Sequence, residues 1–135
     1  MDCIFCDILD GKSDGHFLYE DDSHVSFLDK YPIDVGHSLI IPRKHHETIT
    51  DMTPKDVGSI FSLAPKIAKA ILIATGADAF SLGQNNGRAA KQIVPHVHIH
   101  IIPRYNNKGT VWTKRQITND EELSELAKKI RSFFT

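Results

Sequence analysis

The chain has 135 residues, of which 41% are hydrophobic and 24% are charged, as is typical of one globular domain. This composition excludes a long disordered chain, a collagen-like chain and a disulfide-rich miniprotein. The 16 basic and 17 acidic residues give a formal charge of −1, so we expect no nucleic-acid partner. We predict a single domain over residues 1–135.

The amino-terminal segment lacks the basic and apolar regions of a secretory signal. In addition, no stretch approaches the roughly 18 consecutive apolar residues that a membrane span needs. These absences predict a cytoplasmic protein with no membrane partner. In a reducing compartment, Cys3 and Cys6 are expected to be thiols or metal ligands and not a structural disulfide.

Short apolar runs bounded by turn residues predict three strands in the first third of the chain, two of them forming a hairpin. These runs cover residues 17–19, 25–28 and 38–41. A long helix should follow, because Thr53 can cap it, Pro54 suits its first position and Gly76 can end it. We expect Pro65 to bend this helix or to interrupt its hydrogen bonds locally.

Residues 79–82 predict a fourth strand, and residues 96–102 predict a fifth. A final helix is expected from about Asn119 to Phe134, with acidic residues at its start and basic residues near its end, as the helix dipole favours. Because one long helix separates the third and fourth strands, the pattern indicates an α+β fold with a five-stranded, mostly antiparallel sheet.

The predicted fifth strand is unusual because histidine alternates there with β-branched residues. Successive side chains of a strand point to opposite faces, so His96, His98 and His100 should share one face, with the apolar residues between them buried on the other. A solvated polar face would explain one histidine but not three in strict alternation. The pattern therefore indicates either a metal site or nucleophilic or acid–base catalysis.

The loop before this strand, residues 85–92, favours catalysis on an anionic or nucleotide ligand. It is rich in carboxamides and contains a glycine, groups that bind phosphate through hydrogen bonds, although alone it could be an ordinary surface loop. With this loop, residues 96–102 resemble the histidine triad (HIT) family, whose motif is His-φ-His-φ-His-φ-φ, with φ apolar. The resemblance covers nearly the whole chain and is closest to the Hint-like branch of small nucleotide hydrolases and transferases. Further matching segments are residues 3–6, 19–21, 27–29, 36–37 and 41–45, with Asn85 and Gln92.

The resemblance implies that His98 attacks the α-phosphorus of a nucleotide conjugate and that water then releases a nucleoside monophosphate. Neutral imidazole is available for this attack at physiological pH, since the ordinary pKa of histidine is about 6.5. A hydrogen bond from one ring nitrogen to a backbone carbonyl would leave the other nitrogen free to attack. By resemblance, the other site residues are His100 at the phosphate or leaving group, Gln92 at the transferring phosphoryl group, Asn85 in the phosphate and ribose region, Asp29 at the ribose hydroxyls and His37 beside the triad.

Two positions depart from the family pattern. The family often has glycine before the glutamine, where this chain has Lys91, whose charge would favour a more anionic leaving group. Many Hint-like members have serine or threonine where this chain has Ile93, so Ile93 receives no site role. Two assignments also keep alternatives, because Asp29 could be a turn residue and His37 could shape the hairpin.

A second group of candidate ligands is formed by Cys3, Cys6, His45 and His96. Thiolate and neutral imidazole are good zinc ligands, and four of them would complete a tetrahedral structural site. Some family members resemble this chain in combining a Cys-x-x-Cys with histidines at these two positions. We therefore expect structural zinc and no organic cofactor, with buried or free thiols as the alternative. A redox pair is disfavoured because no βαβ unit surrounds the cysteines.

The expected function is hydrolysis of nucleoside phosphoramidates or related nucleotidyl conjugates, with a small nucleotide as the substrate. By resemblance, the chain forms a homodimer whose sheets join across the two-fold axis. The alternatives are a dinucleoside polyphosphate hydrolase and a nucleotide-binding regulatory module with little catalysis, although the intact triad argues against the module. Trp112 is expected to close the core, with contact to a neighbouring subunit's site as the alternative. His16, His24 and His46 are expected on the surface without a role.

Overall fold

The computed structural model describes residues 3–106, 108, 115 and 118–134. The prediction for Trp112 lies outside these residues. The α-helices and strands are α1 Ile4–Leu9, β1 Phe17–Glu20, β2 His24–Leu28, β3 Ser38–Pro42, α2 Pro54–Thr75, β4 Ala79–Gln84, β5 Ile99–Arg104 and α3 Asp120–Arg131. Short 3₁₀ helices cover Ile49–Asp51 and Arg88–Ala90.

The strands form one sheet in the order β1-β2-β3-β5-β4, and every neighbouring pair is antiparallel. This arrangement confirms the predicted α+β fold with a five-stranded antiparallel sheet. β5 is an inner strand, in which His100 pairs with Leu39 of β3 on one side and with Gly83 of β4 on the other. A backbone that is hydrogen-bonded on both sides fixes the position of His100.

The two ends of α2 have the predicted caps. The Thr53 hydroxyl accepts a hydrogen bond from the Asp56 amide at 3.1 Å, and Gly76 ends the helix with a φ of +69° in the left-handed region. The helix continues through Pro65, which is exposed. The missing proline amide therefore costs one helical hydrogen bond without ending the helix.

The two faces of the sheet carry different layers. On one face, α2 and α3 cover a core that includes Val97, Ile99 and Ile101, all completely buried. Burial of each such side chain stabilises the fold by roughly 1.5–3 kcal/mol. On the other face, Phe5 and Ile8 of α1 pack in a second core cluster with apolar residues of β2 and β3. Alternation along the chain therefore places the triad histidines on the face that α1 covers.

By length and composition, α2 is apolar enough to cross a membrane. The expectation that no segment approaches a membrane span is therefore wrong on that measure. In this fold, Ile60, Ile67 and Ile71 of α2 are almost completely buried in the core beneath the sheet. Packing as a core helix thus explains the apolar residues on one face of α2, whereas Phe61 and Ile73 stay exposed.

Two local predictions need correction. The sequence reading missed α1, because a helix of six residues is too short to show a clear 3.6-residue period. The fifth strand begins at Ile99 and not at His96, because the His96 amide donates to the Val94 carbonyl at 2.9 Å and the chain bends there. Pairing with β3 starts only where Ile99 meets Ile40.

Candidate active site

His98 lies one residue before β5, and its ring is almost completely buried. Its Nδ1 is 2.7 Å from the backbone carbonyl of His96. Because a carbonyl can only accept, Nδ1 carries the proton and Nε2 keeps its lone pair. Burial lowers the pKa of His98 from its ordinary value, so the ring is neutral at pH 7. The predicted hydrogen bond from one ring nitrogen to a backbone carbonyl is therefore present, and it leaves Nε2 unprotonated.

His37 and His100 form a hydrogen-bonded pair beside His98. The Ile33 amide donates to His37 Nδ1 at 2.9 Å, so the proton of neutral His37 lies on Nε2. That nitrogen is 2.9 Å from His100 Nδ1, which leaves the His100 proton on its Nε2. Burial lowers the pKa of His37 to about 2 and the pKa of His100 to about 3. The pair is thus neutral, and His100 presents a fixed N–H donor.

Asp29 follows β2 and lies close to this pair. Its Oδ1 accepts from the Tyr31 amide at 2.9 Å, which is the turn contact that the sequence left open for it. Its Oδ2 is 3.7 Å from His37 Nε2 and accepts a hydrogen bond of 2.8 Å from Arg115 Nη1. Sequence reasoning missed Arg115, because no local pattern marks a contact that spans 86 residues.

The loop of residues 85–92 borders the site, with Asn85 and Lys91 among the residues that line it. The Gln92 side chain is almost completely buried, and its Oε1 accepts from the Gly87 amide at 2.6 Å while its Nε2 donates to the Glu47 carbonyl at 2.6 Å. In this structure the carboxamide of Gln92 therefore shapes the loop, and its contact with phosphate stays a prediction. Lys91 has a φ of +65°, the left-handed region that favours the glycine that the family often has there.

A cavity of about 1080 Å³ opens between α1, the turn after β2 and this loop. Its size is that of a small-molecule site, and its lining combines apolar side chains with a few convergent polar groups. The apolar lining includes Ile4, Phe5, Ile8, Phe27, Leu39 and Val94. The polar lining includes Asp29, Asn85, His98, His100 and Arg115. Such a lining suits a ligand with a flat apolar ring and an anionic group.

The predicted metal ligands come together on the same face of the sheet. The ligand atoms of Cys3, Cys6, His45 and His96 all lie within 4.8 Å of one another. Cys3 Sγ is 3.5 Å from His96 Nδ1, Cys6 Sγ is 3.3 Å from His45 Nδ1, and the two Nδ1 atoms are 3.1 Å apart. Zinc with ordinary bond lengths would need S–N separations of about 3.5 Å and N–N separations of about 3.3 Å. The four side chains therefore fit a tetrahedral zinc ion.

Two further observations bear on this cluster. His96 Nε2 donates to the Pro42 carbonyl at 2.8 Å, which leaves Nδ1 to face the cysteines, as second-shell contacts of metal-binding histidines do. Burial raises the pKa of the Cys6 thiol to about 11, so without a cation this thiol is protonated and a poor redox nucleophile. A metal held jointly by His96, His98 and His100 is disfavoured, because His98 Nδ1 is bonded to a carbonyl and His96 faces the cysteines.

The remaining histidines only partly follow the surface prediction. His24 is buried, with Nδ1 3.1 Å from Asp21 Oδ1, so the prediction is wrong for this residue. The side chain of His16 is only 10% exposed and pairs with Asp120 at 2.9 Å. His46 is partly exposed. The His24 contact lies in the turn between β1 and β2, and the His16 contact lies at the first residue of α3.

Comparison with known proteins agrees with this geometry. A model of the HIT domain matches residues 10–107 of the chain. The chain belongs to the histidine triad family. Among HIT relatives, the adenylylsulfatase HINT3 of Arabidopsis thaliana is 42% identical over 135 residues, covering 96% of this chain and 68% of the relative. The adenosine 5′-monophosphoramidase hnt1 of Schizosaccharomyces pombe is 37% identical, covering 98% of both chains.

A solved HIT structure extends the comparison to three dimensions. The crystal structure of a zinc-bound histidine triad family protein from Mycobacterium smegmatis matches with a TM-score of 0.87 and 32% identity, covering 98% of this chain and 92% of that one. The fold is therefore the HIT fold, and the named relatives place the chain in the Hint-like branch. The activity class that these relatives support is a HIT nucleotide hydrolase.

Proposed function

We propose that the protein hydrolyses nucleoside 5′-phosphoramidates or related nucleotidyl conjugates at the α-phosphate. The observation that carries this proposal is the ring of His98, whose Nδ1–H is bonded to a carbonyl while the ring lines the cavity. One named relative is a monophosphoramidase of AMP and another is an adenylylsulfatase. Both names describe cleavage of an adenylyl conjugate, and they differ in the leaving group.

The first chemical step is attack by His98 Nε2 on the α-phosphorus. A bond forms between this nitrogen and phosphorus while the bond from phosphorus to the leaving group breaks, and the leaving amine takes the electron pair and a proton from solvent. The imidazole becomes cationic, and its Nδ1–H bond to the His96 carbonyl stabilises that charge. The Nε2–H of His100 is suited to donate to a phosphate oxygen or to the leaving atom.

In the second step, water attacks the nucleotidyl-histidine. The bond between phosphorus and His98 Nε2 breaks, the electron pair returns to the ring, and the water oxygen becomes part of the nucleoside monophosphate. Water also loses one proton, which balances the proton taken by the leaving amine. We assign Asn85 to the phosphate and ribose region and Asp29 to the ribose hydroxyls, and Gln92 would reach phosphate after its loop rearranges.

The mechanism can be tested by trapping the intermediate. Protein mixed with an AMP phosphoramidate and quenched in denaturant should carry one adenylyl group on His98, detected by mass spectrometry. Hydrolysis by His98→Ala at the wild-type rate would refute the nucleophile assignment. Turnover of AMP phosphoramidate, adenylyl sulfate, Ap4A and Ap3A at equal concentrations then separates the phosphoramidase from the dinucleoside polyphosphate hydrolase. A protein that binds AMP and turns over none of them is the regulatory module.

Structural zinc is the second part of the proposal. The cluster of Cys3, Cys6, His45 and His96 would join α1 to the end of β3 and to the segment before β5, so bound zinc would supply a cross-link between three parts of the chain. Purified protein is then expected to contain about one zinc per chain. Metal-free protein with undiminished stability would contradict this part.

We also propose that the protein is a cytoplasmic homodimer, free of nucleic acid and membrane. The support for the dimer is β4, which lies at the edge of the sheet and exposes Phe80 by 40% and Leu82 by 44%. An edge strand with exposed apolar side chains favours pairing with another copy. Sedimentation analysis should give a dimer for the wild type and a monomer for Leu82→Lys. A monomeric wild type at micromolar concentration would contradict the dimer.

A further inference from the structure

Arg115 contacts the turn after β2, although it follows β5 in the chain. Its Nη1 donates to Asp29 Oδ2 at 2.8 Å and to the Tyr31 carbonyl at 2.8 Å. The side chain also lines the cavity that contains His98 and His100. One guanidinium nitrogen therefore binds the carboxylate and the backbone of the same turn at the edge of the candidate active site.

These contacts determine how the Asp29 carboxylate is oriented. The Tyr31 amide holds Oδ1 at 2.9 Å, but one hydrogen bond alone leaves the carboxylate free to rotate about its Cβ–Cγ bond. The second bond, from Arg115 to Oδ2, fixes that rotation. Because each carboxylate oxygen can accept about two hydrogen bonds, each oxygen keeps capacity for one further donor.

The burial and charge of Asp29 and Arg115 also indicate that Arg115 helps to hold the carboxylate. The Asp29 side chain is 14% exposed and the Arg115 side chain 37%, so the carboxylate is largely removed from water while its partner reaches solvent. A carboxylate that has lost most of its hydration is stabilised by a nearby positive charge, and it can then accept hydrogen bonds from a neutral donor such as a hydroxyl. Arg115 supplies that charge from the side of the turn.

We propose that Arg115 is a positioning residue for ribose recognition, acting through Asp29 and not through the phosphate. The inference rests on the proposed function, in which Asp29 accepts hydrogen bonds from the ribose hydroxyls. It predicts that the effect of Arg115 on AMP binding disappears when the ribose hydroxyls or the Asp29 carboxylate are removed.

The test measures binding of AMP and of 2′,3′-dideoxy-AMP by calorimetry, so it does not depend on turnover. The variants are Arg115→Met, Arg115→Lys, Asp29→Asn and the double variant Asp29→Asn/Arg115→Met. The matched control is Arg43→Met. Arg43 is also 37% exposed, and it also bonds a carboxylate, Glu20, and a backbone carbonyl.

We expect Arg115→Met to weaken AMP binding about tenfold, the usual size for a hydrogen bond to a charged group, and Arg115→Lys to weaken it less. Binding of 2′,3′-dideoxy-AMP should change by less than about twofold, and Arg115→Met should add nothing in the Asp29→Asn background. Arg43→Met should bind both nucleotides as the wild type does. Thermal unfolding checks that each variant is folded. If Arg115→Met is not folded, binding of the two nucleotides is compared with Arg115→Lys.

Three results would overturn the inference. Equal weakening for both nucleotides would mean direct contact with the phosphate or loss of the cavity. Tighter AMP binding by Arg115→Met would mean that Arg115 competes with the ribose. Full additivity with Asp29→Asn would mean that the two residues act separately. If the wild type binds no AMP, this inference fails, whereas the proposed function is decided separately by turnover of AMP phosphoramidate and by the adduct on His98. If it binds AMP but His98→Ala still hydrolyses phosphoramidate, only the mechanism fails.

Discussion

His96 and His98 lie two residues apart on the same face, yet their rings are held in opposite ways. His96 donates from Nε2 to the Pro42 carbonyl and turns Nδ1 toward two cysteines. His98 donates from Nδ1 to the His96 carbonyl and keeps Nε2 for the cavity. The choice of backbone carbonyl therefore decides which nitrogen is free, and with it which histidine faces the candidate zinc ligands and which faces the cavity.

The largest effect is expected when the side chain of His98 is removed, a change that tests whether His96 and His98 act separately. His98→Ala should lower turnover of AMP phosphoramidate by at least about 10⁴-fold, because a nucleophilic side chain has no substitute in the step it performs. Zinc content should stay near wild type, since His98 is outside the candidate zinc cluster. Single-turnover kinetics and metal analysis measure these quantities. Loss of zinc from this variant would show that the two histidines are not separable.

The complementary change removes a metal ligand. Cys6→Ser should lose zinc and reduce the free energy of unfolding by more than about 3 kcal/mol, because the binding energy of a structural metal adds to folding. Chelation of the wild type should produce a similar loss. Urea unfolding with and without chelator measures it. An unchanged unfolding midpoint after complete zinc removal would contradict a structural role.

The neutral His37–His100 pair predicts a specific loss of stability in acid. The folded-state pKa values of about 2 and 3 lie below the value of about 6.5 for unfolded histidine, so below pH 6.5 the unfolded chain binds protons that the folded chain does not. Stability is thus complete above about pH 6.5 and falls at lower pH, by about 1.4 kcal/mol per pH unit for each residue. Urea unfolding at pH 7, 6 and 5 should show a shallower decline for His37→Asn. Parallel declines for the two proteins would contradict the neutral pair.

The smallest expected effect concerns the loop that leads to both histidines. Lys91→Gly should stabilise the protein by about 1 kcal/mol, because glycine adopts the left-handed conformation of this position without steric cost. Lys91→Ala, which keeps the Cβ, is the matched control and should not stabilise. Thermal unfolding of the two variants and the wild type measures these differences in stability. Equal stability of Lys91→Gly and the wild type would mean that the loop tolerates lysine without strain.

The fold could be predicted because it depends on short periods, whereas most of the candidate site was predicted from the resemblance to the HIT family. Alternation from Val97 to Ile101 predicted which side chains join the core beneath α2 and α3, and Thr53 with Gly76 predicted the ends of α2. The start of β5 could not be predicted, because a backbone bend at His96 leaves no mark in the alternation. The ring orientations and the contact of Arg115 depend on atoms far apart in the chain, which no local pattern encodes.

His96 contributes to both histidine environments with different parts of the same residue. Its side chain belongs to the candidate zinc cluster, whereas its backbone carbonyl holds His98. A peptide carbonyl is present whatever amino acid occupies the position, so substitution at 96 removes a ligand but not the acceptor. In evolutionary terms, a lineage could lose its metal site by mutation at this codon and still inherit the hydrogen bond that orients its nucleophile.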